Sequence, residues 1–113
     1  NTSYSIDATI SYMTTSNTAD FKYTFTVPTG ATVSIYTDAA TSATTNTVCN
    51  ITVSGQTCSI LNNANYRGII NVKGVVTTAA TAGNLQFQFA QNTATAGQSV
   101  TIYAGSNLSW RKP

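Results

Sequence analysis

Hydrophobic and polar positions alternate with a period of two along most of the chain. In "YSIDATISY" (4–12), Tyr4, Ile6, Ala8, Ile10 and Tyr12 share one face of an extended strand; in "DFKYTFTV" (20–27), Phe21, Tyr23, Phe25 and Val27 do the same. Shorter β-rich runs follow at 32–37, 46–53 and 57–61, then a longer apolar one at 68–77. Three more stand at 84–91, 99–104 and 106–111. In "LQFQFAQN" (85–92), Leu85, Phe87 and Phe89 claim a core, while Gln86, Gln88 and Ala90 face the other way. Turn signals separate the runs: Pro28-Thr29-Gly30, Ser54-Gly55, Asn62-Asn63, Ala82-Gly83, Ala96-Gly97 and Ala104-Gly105. No window carries a helical period with caps. Eight or nine short strands at this spacing predict an all-β, single-domain antiparallel sandwich of the jelly-roll kind.

Composition sharpens this picture. The chain of 113 residues is 42% hydrophobic, enough for one core, but only 7% charged, so its surface must be Thr, Ser, Asn and Gln. A net charge of +2 argues against a disordered segment. Lys22, Arg67, Lys73, Arg111 and Lys112 are scattered along the chain and form no basic run, which argues against a nucleic-acid partner. No stretch approaches the roughly 18–20 apolar residues of a membrane-spanning helix. The opening "NTSYS" shows neither an initiator Met nor a secretory signal, as expected for a fragment of a longer chain.

The inventory for catalysis is thin. There is no His and no Glu, and Asp7, Asp20 and Asp38 are the only acids. A serine nucleophile would lack its usual base, and a glycosidase pair would have to come from those three Asp, each more simply a turn or solvated residue. The domain therefore reads as non-enzymatic, with no cofactor and no metal site. Cys49 and Cys58 flank "NITVSGQT"; a hairpin turn at Ser54-Gly55 sets them nearly opposite one another, either as a cross-strand disulfide or as two half-buried thiols. Sequons at Asn1, Asn50 and Asn107 are expected by chance in so Asn- and Thr-rich a chain. Tyr36, Tyr66, Tyr103 and Trp110, near strand ends or loops, are rings that can stack on a sugar or pack in a core or interface. The polar, uncharged loops at 38–45 and 62–66 are the candidate ligand contacts, with Asp38, Thr41, Thr45, Asn62, Asn63 and Tyr66 foremost.

Three segments carry a resemblance: "ADFKYTFTVPTGA" (19–31), "TAGNLQFQFAQN" (81–92) and "VTIYAGSNLSWRK" (100–112). Together with the opening strand they resemble a recurrent C-terminal domain of tailed-phage virion proteins. The hairpin "TVCNITVSGQTC" (47–58) departs from that pattern. The resemblance implies a compact β-sandwich assembled as a homotrimer, similar to tumour-necrosis-factor-like knobs and carried by a tail fibre, tail spike or head-decorating protein. It implies a virion location, other virion proteins as partners and, at a fibre tip, a host-surface glycan or protein receptor. It brings no catalytic residues. Gln86, Gln88 and Ala90 are then expected at the subunit interface, which suits uncharged amides. Capsid decoration and a secreted carbohydrate-binding module are the competing functions.

Overall fold

A computed structural model describes residues 1–16, 18, 20–61 and 63–112. Among these the fold is all-β, with nine strands: β1 (Ser3–Thr14), β2 (Phe21–Thr26), β3 (Thr32–Ala40), β4 (Asn46–Ile51), β5 (Cys58–Ile60), β6 (Gly68–Thr77), β7 (Gln86–Gln91), β8 (Val100–Ile102) and β9 (Asn107–Arg111). They form two antiparallel sheets. The larger runs β4-β3-β6-β1, with β8 and β9 sharing the free side of β1; the smaller runs β5-β2-β7. Every connection except β3–β4 and β8–β9 crosses from one sheet to the other, which is how a sandwich buries both inner faces at once.

The alternation that marks the strands also marks the core. Ile6, Ile10 and Tyr12 of β1 and Ile70, Val72 and Val76 of β6 are buried against Phe21, Tyr23 and Phe25 of β2, with Tyr12 and Phe21 ring centroids 4.7 Å apart. Polar groups that enter this core are bonded there. The Tyr12 hydroxyl donates to the Ala40 carbonyl at 2.7 Å, and Tyr23 Oη shares a hydrogen bond with Thr37 Oγ1 across the two sheets. Burial, with Tyr23 and Tyr66 nearby, pushes the Tyr12 phenol far above its ordinary value. Burial also raises Tyr23, although its bond to Thr37 pulls the other way.

The expected hairpin at 49–58 has a different geometry. The turn forms, with the Gln56 amide donating to the Val53 carbonyl at 3.1 Å and Gly55 at φ +81°, a conformation that favours glycine. Its two arms enter different sheets, however: β4 pairs with β3, and β5 pairs with β2. The Cys49–Cys58 disulfide, with Cα atoms 6.2 Å apart, is therefore an inter-sheet staple rather than a cross-strand bridge within one hairpin. It closes the sandwich along its β4/β5 edge.

Candidate functional site

The two candidate loops meet at one end of the sandwich, but less of them is free than their polarity suggests. Thr41 is buried; its amide and hydroxyl both donate to the Thr45 carbonyl, at 2.9 and 3.2 Å. The Thr41 carbonyl in turn accepts the Asn63 amide at 3.2 Å, and the Asn65 amide reaches the Thr14 carbonyl at 2.8 Å. Thr41 thus ties the two loops together and offers no side chain to a ligand. Thr45 and Asn63 are exposed, Tyr66 is half-buried near Tyr12, and Asn62 lies outside the described residues. Asp38 is not in a loop. It belongs to β3, opposite Val48 on one side and Asn71 on the other, and its Oδ1 is buried with no hydrogen-bond partner among the described residues.

Opposite the disulfide, the sandwich gapes. Here β7 borders the small sheet, and β8 and β9 border the large one. Phe87 and Phe89 do face inward, beside Phe25 and Tyr23 in register, with Phe25 and Phe87 centroids 5.3 Å apart. Yet among the described residues no strand lies beyond β7 to cover them. Leu85, Phe87, Val100 and Ile102 are only half-buried, while Phe89, Leu108 and Trp110 remain 45, 37 and 64% exposed. Between the sheets at this edge lies a cleft of about 610 Å³, walled by Tyr4, Val76, Leu85, Leu108 and Trp110 and by the irregular 78–84 segment. Trp110 stands edge-on to Tyr4 with centroids 5.1 Å apart.

The outer face of β7 carries Gln86, Gln88 and Ala90, all exposed, next to Thr26, Thr24 and Lys22 of β2. The Gln88 amide donates to Gln86 Oε1 at 2.9 Å. Amides and apolar rings therefore occupy the two faces of a single edge strand.

The outer face of the large sheet was not singled out by sequence. By register, Asn50, Tyr36, Lys73, Asp7 and Ser109 stand in one straight row across β4, β3, β6, β1 and β9. Lys73 Nζ lies 2.6 Å from Asp7 Oδ2, with both side chains mostly in water. One residue pair along, Ser34, Val75, Ser5 and Arg111 form a second row. An open trough of about 760 Å³ follows these rows. The signal available in the sequence was the outward half of each alternating strand, but which outward residues become neighbours depends on register. Of the other aromatics, Tyr103 lies under the Arg67 guanidinium, 3.8 Å from its ring centre, whereas Tyr36 stacks on no ring among the described residues and is 46% exposed.

The chain matches no family model, no curated protein and no solved structure. What its surfaces can do must be read from their chemistry. Among the described residues no three His, Cys, Asp or Glu side chains gather into a metal-binding group. Asp7 is engaged with Lys73, Asp20 is buried, and Asp38 lies across β6 from Asp7 and two residues out of register with it. The open edge offers apolar area, and the large-sheet face offers hydrogen-bonding groups around an exposed ring.

Proposed function

We propose that this chain is a structural module of a phage virion: a jelly-roll domain that trimerises at the tip of a tail fibre or tail spike and contributes to host-receptor binding. The observation that carries the reading is the open edge. Taking 150–250 Å² per aromatic side chain, Phe89 and Trp110 alone leave roughly 250 Å² in water. With Leu108 and its half-buried neighbours, the apolar area along this edge reaches the few hundred Å² of a protein's largest and often functional surface patch. A subunit interface centred on β7 covers the patch and takes in Gln88 on the opposite face of the same strand. The sequence resemblance supports a virion setting, and the sparse set of ionisable residues supports a role without catalysis.

Light scattering after size exclusion tests the assembly, and immunogold labelling of intact particles tests the location. Trimers and tail-tip labelling are the expected results. Labelling over the head replaces the fibre reading with capsid decoration, and a monomer at micromolar concentration removes the trimer.

A further inference from the structure

Measured from the stapled β4/β5 edge, the small sheet is three strands wide and the large sheet five, so the large sheet overhangs at β8 and β9. The step leaves strands of both sheets with a free edge on the same side. The Phe25 carbonyl accepts the Gly55 amide on the β5 side of β2, so the alternate residues Lys22, Thr24 and Thr26 turn their N–H and C=O groups to Ala90, Gln88 and Gln86 of β7. The Asn92 amide, 3.5 Å from the Asp20 carbonyl, continues that ladder. The backbone groups of Phe87 and Phe89 therefore face open space, with no partner among the described residues. On β1 the Ser11 carbonyl accepts the Tyr103 amide at 2.9 Å, so Ser5, Asp7 and Thr9 engage Arg111, Ser109 and Asn107 of β9. Leu108 and Trp110 are left with free backbone groups, and their side chains point between the sheets like those of their buried partners Ala8 and Ile6.

We propose that β7 of each subunit pairs antiparallel with β9 of the next copy, Phe87 opposite Trp110 and Phe89 opposite Leu108 of the neighbouring subunit; the inference rests on the trimer reading above and names its contact. A row of free N–H and C=O groups is answered by another extended backbone. Nothing on β7 prevents this, since it carries no charge, proline or bulge, and β9 has only Arg111 at its end. The two edges also share a phase: on both, the residues with free backbone groups carry inward apolar side chains, so rings meet apolar groups on one face and Gln88 meets Ser109 on the other. β4 lacks that match. Its ladder with β3 leaves the free groups to Asn46, Val48 and Asn50, whose side chains face outward, and the Gln56 amide already donates to the Asn50 carbonyl at 2.7 Å. β8 has the right phase, but the 92–98 segment folds back at its start, with Gln91 Nε2 donating to the Gln98 carbonyl at 2.7 Å, and Val100 and Ile102 are already half-buried. A second β7 has it too, yet pairing to it would drive two overhanging large sheets into one layer. Joining two different strands makes the contact heterologous, so each subunit gives β9 and receives on β7 around a closed ring.

The test uses the intact chain carrying Gln88→Cys and Ser109→Cys, two exposed positions that the pairing sets opposite each other. Oxidised, the double variant should run as a covalent trimer in a denaturing gel without reductant, and either single variant should stay uncoupled. Coupling of a single variant would pair a strand with its own copy and overturn the proposal. Amide exchange followed by NMR reads the same contact in the unmodified chain. The main-chain amides of Phe87, Phe89, Leu108 and Trp110 should exchange at least about tenfold more slowly in wild type than in Trp110→Lys, while those of β1 and β6 stay protected in both and confirm the fold. Trimers in which these four amides exchange freely overturn the strand pairing and leave the trimer standing. A covalent dimer of the double variant with the four amides protected keeps the pairing and removes the trimer. A monomer that neither couples nor protects them removes both.

Discussion

Cys49 and Cys58 join the edge strand of one sheet to the edge strand of the other. The bridge spans nine positions, and chain-entropy arguments give a loop of that size about 2–3 kcal/mol. Replacing both by Ser should leave a folded domain whose melting temperature falls by roughly 10–15 °C, using about 4–8 °C per kcal/mol for domains of this size. Calorimetry with and without reductant checks this: loss of the cooperative transition at room temperature would mean that the sheets do not hold together without the staple.

The Tyr23–Thr37 hydrogen bond is the polar counterpart of that staple, buried between the sheets. Thr37→Val strands the Tyr23 hydroxyl and should cost about 1–3 kcal/mol. Adding Tyr23→Phe should recover part of the loss, because the stranded hydroxyl is then gone, while the Cys49 carbonyl still lacks the bond that Thr37 Oγ1 donates to it at 3.3 Å. Urea unfolding of the two single variants and the double variant measures the coupling; strict additivity would refute it.

Tyr12 and Tyr23 set an alkaline limit. Both phenols are raised in the folded state, chiefly by burial, whereas unfolded tyrosines ionise near pH 10. Above that pH the unfolded chain releases protons that the folded chain keeps, so stability is complete below pH 10 and falls beyond it. The slope is at most about 1.4 kcal/mol per pH unit for each group. Thermal melts between pH 9 and 11.5 should show the fall, and Tyr12→Phe should make it shallower.

Gly68 opens β6 where β1 and the end of β3 close in. A β-carbon there would stand 2.3 Å from the Ala40 carbonyl oxygen and 2.8 Å from Tyr12 Cε1. Gly68→Ala must push these apart and break the Tyr12–Ala40 hydrogen bond, at a cost of about 3 kcal/mol or more. An unchanged midpoint in denaturant would show that the strands move aside freely.

Two substitutions on β7 divide the proposed interface. Phe89→Lys should convert a trimer into a monomer with little loss of monomer stability, because the ring is already half in water. Gln88→Glu places like charges near one another if the amide face adjoins the threefold axis, where unit charges about 4 Å apart repel by about 4 kcal/mol at an effective dielectric of 20. Dissociation of the first variant alone would confine the contact to the open edge; trimers persisting in both would locate it elsewhere.

Local pattern and long-range arrangement divide what was legible in the sequence. The alternation over 68–77 marks β6 to the residue, and that over 4–12 and 20–27 finds β1 and β2 within two residues at either end. Asp38 reads as a loop residue because Asp and the alanines after it have little strand preference. Pairing with both β4 and β6 overrides that preference and carries β3 on to Ala40. The inward direction of Phe87 and Phe89 follows from periodicity; their exposure does not, since it depends on β7 being an edge. The spacing of the cysteines likewise brings them near each other without telling that the intervening turn changes sheets. The row through Tyr36, Lys73 and Asp7 was hidden for the same reason: its members lie on three strands distant in sequence, and only register aligns them.

The placement of β1 in the middle of the large sheet also governs when this domain can form. Its ladder partners on β6, β8 and β9 all lie at or beyond Gly68, so no neighbouring hairpin can template it. Contacts this remote in sequence close slowly, because long loops must be ordered before any pairing rewards them. During synthesis β1 emerges well before all of its partners do, exposing Ile6, Ile10 and Tyr12 meanwhile. Completion of the sheet is thereby deferred until the segment through Arg111 has left the ribosome, and any assembly that uses the β7 edge must come later still.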